Sequence, residues 1–190
     1  MTERLRVATP DDAAAILDIY APHVRGSAVT FETEVPSVET MRERVREGLE
    51  RYPWLVAERD GTVVGYASAG PLRKKQGYDW VTELSVYLAE QAQGEGLGRR
   101  LYQVLLAILD AQGFVAAYGA VTLPNPASVR LHESLGFERV GQFPGAGYVQ
   151  SAWHDVRWYA LELGERPAEP ERPTPFGETD ADGPLGGPDP

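Results

Sequence analysis

Gln93-Gly94-Glu95-Gly96-Leu97-Gly98 stands between a strand-like run ending at Tyr87 and a helical stripe of Leu101, Leu105, Ile108 and Leu109. Closely spaced glycines let the backbone approach a ligand, and the free N–H groups of a following first helical turn can receive a phosphate. A phosphorylated ligand is one reading, and a plain strand-to-helix turn is the other. The dinucleotide fingerprint fits poorly, because it follows an early strand and precedes a ribose-binding acid by about 20 residues. This loop comes late, and Asp110 falls within the predicted helix. Neither Gly-Lys-Ser nor Gly-Lys-Thr occurs, so the Walker pattern fails as well.

Outward from the loop, Val115 to Val121 reads as a strand and completes a strand, loop, helix, strand unit. On the N-terminal side, one strand spans about Trp80 to Tyr87. Before it, Trp54 to Glu58 and Val63 to Ala69 flank Asp60-Gly61, a pair suited to the left-handed dihedrals of a tight hairpin. Residues 3 to 8 suggest a first strand. Thr9-Pro10-Asp11-Asp12 has capping-box spacing before the periodic Ala13, Ile16, Leu17, Tyr20 and Val24. Ser37 opens a second helix on Met41, Val45 and Leu49, and Pro53 closes that region. Beyond the unit, Ala127 to Leu135 forms a short helix stopped at Gly136, followed by strands over Phe137 to Phe143 and Trp153 to Leu163. The order predicts an α+β (mixed α/β) single domain around one mixed sheet, with hairpins first and a crossover later.

The chain has 190 residues, 43% hydrophobic and 24% charged, with 4 Trp, 9 Tyr and 5 Phe, enough for one sizeable core. After Leu163 the composition changes: the last 27 residues hold seven Pro, five Gly, seven acids and two bases. The domain is therefore expected over 1–163, with 164–190 a disordered Pro/Gly/acidic tail; docking through Phe176 is the alternative. Cysteine is absent, which excludes disulfides, thiol nucleophiles and cysteine metal sites. The N-terminus has no apolar signal segment and no apolar run reaches membrane-spanning length, so a cytoplasmic protein is expected. The net charge of −10 opposes general attraction to nucleic acid or an anionic membrane, and neither is expected as a partner. No cluster offers three metal ligands with an orienting shell, so no metal is expected.

Gln93-x-x-Gly96-x-Gly98 resembles the Q/R-x-x-G-x-G/A loop of the GCN5-related N-acetyltransferases (GNAT), whose backbone amides hold the pyrophosphate of acetyl-coenzyme A. Asn125 with Ser128-x-x-Leu131-His132-x-x-x-Gly136-Phe137 is similar to that family's Asn, short helix and Gly-Phe ending. The phosphinothricin N-acetyltransferase branch looks closer still. Its likeness is carried by Thr30-Phe31-x-Thr33-Glu34, Gly70-Pro71, Tyr78-Asp79-Trp80, Glu83, Val86-Tyr87, Leu123-Pro124-Asn125, Ser128 to Glu133 and Trp153-His154-Asp155. These pieces keep their order over residues 3 to 163. The resemblance implies a twisted central sheet, acetyl-CoA as cosubstrate and a homodimer. It implies coenzyme contacts at Leu84, Val86, Gln91, Gln93, Gly94, Glu95, Gly96, Leu97, Gly98, Arg99, Asn125 and Ser128. Two departures stand out. The loop opens Glu90-Gln91-Ala92 rather than on basic residues, and Gly147 to Trp153 lacks the lysine and paired glycines of herbicide-detoxifying relatives.

Aminolysis of a thioester needs an aligned amine, a base for its proton and stabilisation of the oxygen that becomes negative. Glu83 interrupts an apolar strand, with Val81 and Ser85 as same-face neighbours, and half-burial there would raise its pKa toward the useful range. A solvent-facing edge charge is the competing reading. The branch likeness implies that Glu83 is the general base, directly or through water, and that His132 assists or serves as acid. A histidine that merely completes a hydrogen-bond network would look the same in sequence. Arg73-Lys74-Lys75 is a basic run in an acidic chain, suited to a carboxylate or phosphinate unless it is only a solvated turn. The family motif supports Arg73 and Lys75 as substrate contacts. Phe31 and Tyr78 are suited to covering the aliphatic part of the substrate, and ordinary core packing explains either ring equally well. The expected activity is acetyl transfer to the primary amine of a small anionic amino acid such as phosphinothricin. The alternatives are methionine sulfone or sulfoximine, a broader range of small amines, or a non-catalytic acyl-CoA sensor.

Overall fold

The computed structural model describes residues 2–180 and 182–186. Met1, Ala181 and 187–190 lie outside the described residues, the latter two within the stretch expected to be a disordered tail. Among the described residues, seven strands form one sheet: β1 (Glu3–Val7), β2 (Trp54–Arg59), β3 (Thr62–Pro71), β4 (Val81–Leu88), β5 (Ala116–Thr122), β6 (Glu138–Val149) and β7 (Ala152–Glu162). Their order is β1-β2-β3-β4-β5-β7-β6. Every neighbouring pair is antiparallel except β4 and β5, which are parallel and joined through helix α3 (Leu97–Gln112). The other helices are α1 (Ala13–Gly26), α2 (Val38–Leu49), α4 (Pro126–Ser134) and the short α5 (Asp182–Gly186). The mixed α/β domain expected from the sequence is therefore present.

Local chemistry explains the boundaries. The Ser37 hydroxyl accepts the Thr40 N–H at 3.0 Å and starts α2, while Asp60 and Gly61 both take positive φ at the β2–β3 reversal. Side-chain alternation then divides the core between two faces. Leu55 and Ala57 pack with Leu101, Leu105 and Leu109 of α3 on one face. Val56 and Tyr66 pack with Ile16 and Tyr20 of α1 and Met41 of α2 on the other.

Two stretches differ from the sequence reading. β6 runs to Val149 rather than ending near Phe143, because a register shift between Phe143 and Gly147 carries it past Pro144 as an edge strand. Residues 164–170 of the tail are exposed, while part of it, from Glu171 to Phe176, contacts the domain in the arrangement weighed through Phe176. That ring is 8% exposed and joins the α3-side core, and Gln112 exchanges hydrogen bonds with Thr174 on the way.

The feature that makes a site is a parting of strands. β4 and β5 pair only from Val81 to Glu83 against Ala116 to Tyr118, yet β4 continues to Leu88 and β5 to Thr122. Beyond Glu83 and Tyr118 the two strands no longer bond to each other, and the sheet opens.

Candidate active site

A cleft of about 720 Å³ fills this opening, with Leu84 to Leu88 on one wall and Ala120 to Thr122 on the other. The start of α3 closes one mouth. Gly94 and Gly96 hold φ of +78° and +82°, a region that favours glycine, and a methyl group at either would meet open space. Gly96 caps the helix, and the first N–H used within it is that of Arg100, bonded to Gly96 O at 3.1 Å. The amides of Leu97, Gly98 and Arg99 precede that ladder and are available to an anion.

The electrostatics agree with such a ligand. In a chain of net charge −10 no Asp or Glu among the described residues lines the cleft, whereas Arg99 and Arg130 both reach it. Arg99 is steadied by donation to Ser134 O at 2.8 Å. Glu95 would be an unwelcome charge in an anion cradle, but its carboxylate pairs with Arg59 at 2.8 Å, outside the lining. On the far wall, Asn125 Oδ1 accepts the Ser128 N–H at 3.1 Å and starts α4, an arrangement that leaves its Nδ2 donors uncommitted.

Glu83 occupies the last rung before the strands part, opposite Tyr118. Leu84 and Val86 face α3, so alternation turns Glu83, Ser85 and Tyr87 toward α1. Burial pushes the Glu83 carboxyl above the usual carboxylate range, and the Arg73 guanidinium pulls it part of the way back. That is the direction a carboxylate needs to accept a proton from an amine near neutral pH.

His132 lies on the opposite face, 3% exposed, with its ring edge-on to Tyr102 and Phe137 and stacked on Tyr159 at 5.3 Å. Nδ1 is 2.8 Å from Ser128 O, which can only accept, so Nδ1 carries the hydrogen. Burial lowers the imidazole pKa and keeps the ring neutral. Nε2 is buried without a protein partner and points at Gly119, where an added Cβ would come within 2.2 Å. Among the described residues no group of three or more His, Cys, Asp or Glu could hold a metal.

The acetyltransferase (GNAT) domain model matches residues 5–158. The chain belongs to the GNAT family. It is 42% identical over 166 residues to the phosphinothricin N-acetyltransferase of Streptomyces viridochromogenes, covering 87% of this chain and 90% of that one. It is 35% identical to an L-methionine sulfoximine/L-methionine sulfone acetyltransferase of Salmonella typhimurium, covering 86% and 96%. A GNAT superfamily phosphinothricin acetyltransferase from Sinorhizobium meliloti, solved in complex with acetyl-CoA, superposes with a TM-score of 0.84 at 34% identity, over 92% of this chain and 94% of that one. This GNAT protein is an acetyl-CoA-dependent acetyltransferase that acts on a small amine.

Of the residues expected at the coenzyme, ten line the GNAT cleft: Leu84, Val86, Gln93, Gly94, Gly96, Leu97, Gly98, Arg99, Asn125 and Ser128. Gln91 and Glu95 do not. His132 lines the cleft from the α3 side, whereas Glu83, Phe31, Arg73, Lys75 and Tyr78 are outside its lining. Phe31 is seated against Gly147 of β6, where a Cβ would come within 2.4 Å of its ring. Lys75 and Tyr78 are exposed and share a tight turn, with Tyr78 N–H donating to Lys75 O at 3.0 Å. Reading the sequence missed Ser85, Tyr87 and His23 in the lining. The two-residue period from Glu83 could have found the first two. His23 reaches the cleft only through the packing of α1 on the sheet, which no local pattern announces.

Proposed function

We propose that this enzyme acetylates the primary amine of a small anionic amino acid of the phosphinothricin type. The carrying observation is the parting of β4 and β5, which opens a cleft with an anion cradle at the α3 N-terminus and leaves a half-buried carboxylate, Glu83, on the last shared rung, just outside the cleft lining. Bound acetyl-coenzyme A supplies an acetyl group already activated as a thioester. The amides of Leu97, Gly98 and Arg99 receive its diphosphate, and Leu84, Val86, Asn125 and Ser128 hold the arm that runs through the cleft. Glu83 accepts the proton of the substrate ammonium, directly or through one water, and frees the nucleophile. Arg73 and Lys75 receive the anionic group, and Phe31 and Tyr78 shield the aliphatic portion. The neutral, aromatic-boxed His132 has its only N–H committed to Ser128, which favours a role in fixing α4 against β5 over proton donation. Methionine sulfone or sulfoximine is the second reading, supported by the likeness to an acetyltransferase of those substrates.

The homodimer remains a proposal. Its support is the edge strand β6, whose Val140, Phe143 and Tyr148 are 57%, 53% and 58% exposed beside Trp153 at 70%, a set that a second copy would cover. Light scattering at assay concentration tests it, and a monomer rejects it.

The activity is tested by thiol release from acetyl-CoA with phosphinothricin, methionine sulfone, methionine sulfoximine, common amino acids and polyamines, with product mass confirmed. Turnover highest on the anionic analogues is expected. Coenzyme binding without turnover on any amine would leave a sensor instead. Glu83→Gln should lower kcat by about 10²- to 10⁴-fold while coenzyme affinity holds; equal turnover rejects Glu83 as base.

A further inference from the structure

We propose that Trp158 is a positioning residue for the amine substrate: its indole face holds the Arg73 guanidinium on the Glu83 side of the sheet, where Arg73 receives the substrate's anionic group. This rests on acetyl transfer to an anionic amino acid as the reading of the site. The Arg73 Cζ lies 5.4 Å from the Trp158 ring centre, within cation–π range. The strand register fixes the location. Glu83 pairs with Tyr118 of β5, and Ala120, two residues further along β5, pairs with Trp158 of β7. Two residues is one pleat period, which puts Trp158 on the same face as Glu83 and on the side where β4 and β5 part.

The platform is itself fixed. Trp158 belongs to the paired length of β7, and the Phe143 ring packs at 6.3 Å. Arg73 itself is exposed, in the loop that follows β3, and among the described residues it forms no ion pair with a carboxylate. One of its nitrogens donates to the adjacent Leu72 O at 2.8 Å. An arginine on an aromatic face keeps its in-plane N–H fork, so the remaining donors stay available to a carboxylate or phosphinate. Without the indole, a loop arginine at this position would sample many rotamers, and each binding event would bear the cost of ordering it. The Arg73 charge also acts on Glu83, favouring its ionised form.

The test compares wild type, Trp158→Phe, Trp158→Leu and Arg73→Lys on methionine sulfone and on its neutral carboxamide. It follows kcat and KM, with calorimetric binding of methionine sulfone in the presence of coenzyme A. For Trp158→Leu, KM for methionine sulfone should rise about fivefold to tenfold, more than kcat falls, while KM for the carboxamide moves less than about twofold. Trp158→Phe should restore most of the loss. Arg73→Lys, which keeps the charge and removes the stacking plane, should resemble Trp158→Leu and serves if the leucine variant loses coenzyme binding. Equal KM shifts on both amines, a phenylalanine variant as impaired as leucine, or a lysine variant matching wild type overturns the proposal. If wild type binds methionine sulfone without acetylating it, the enzymatic reading fails, and weaker calorimetric binding by Trp158→Leu still supports the platform. Wild type that neither binds nor acetylates any anionic amino acid overturns both.

Discussion

Because burial raises the Glu83 pKa and Arg73 only partly offsets it, Glu83 loses its proton at higher pH than an exposed glutamate does. A base must be deprotonated to act, so kcat/KM should fall on the acid side with an apparent pKa above the ordinary glutamate value of about 4.3. Arg73→Met removes the charge that favours carboxylate and should push that limb to still higher pH; a pH–rate profile measures both, and an unmoved limb argues against an influence of Arg73 on Glu83. Gly119 offers a second residue test. An alanine Cβ there would lie 2.2 Å from His132 Nε2, in a ring already fixed by three aromatics and Ser128. Gly119→Ala should cost about 1–3 kcal/mol in chemical denaturation, the usual price of overpacking a tight core. Gly98→Ala meets only ordinary contacts at 3.6 to 3.9 Å and should leave stability nearly unchanged. Glu83 was legible because a carboxylate breaking an apolar strand is a local signal. The orientation of His132 toward Gly119 was not, since it depends on how α4 packs across β5.

At the scale of elements, the cradle depends on one backbone conformation more than on side chains. Gly96 begins α3 at φ +82° with open space around its Cβ position, so alanine would suffer backbone strain without a clash. Gly96→Ala should cost about 1–2 kcal/mol of conformational energy and, by reorienting the first-turn amides, weaken coenzyme A binding measured by titration. Coenzyme affinity equal to wild type would mean that those amides do not carry the diphosphate. Elements whose signals are local were readable in the sequence: the helical stripe of α3, the Asp60-Gly61 hairpin and the Gly136 stop of α4 all match observed structure. β6 was not. Pro144, Gly145 and Gly147 carry turn chemistry, yet an edge strand tolerates a missing N–H and a shifted register, so the strand continues through residues that locally argue against it. The parting of β4 from β5 was equally hidden, because each strand's own pattern continues past the last shared rung.

Across the whole molecule, the Pro-rich segment after Leu163 works as a strap joining the far end of α3 to the loop before β4. Trp80 Nε1 donates to Glu171 O at 2.7 Å, Arg172 and Arg51 both pair with Asp79 at 3.3 and 3.4 Å, and Gln112 Nε2 donates to Thr174 O at 2.7 Å. Composition argued for disorder because aliphatic residues are scarce, but one buried aromatic and several backbone-directed hydrogen bonds anchor the segment without a long apolar run. Most of its apolar contribution is concentrated in Phe176, at 8% exposure against the α3-side core. Phe176→Ala should therefore cost about 3 kcal/mol, a fall in Tm of roughly 6–12 °C for a domain of this size. The strap also grips Asp79 and Trp80, which immediately follow Tyr78 and precede the strand bearing Glu83. Loosening it should disturb the amine side more than the coenzyme side. A chain ending at Leu163 should then show a higher KM for the amine, with the KM for acetyl-CoA little changed, when both are measured well below the lowered Tm. If the two constants rise together, the strap supports the fold as a whole and has no preferential hold on the substrate loop.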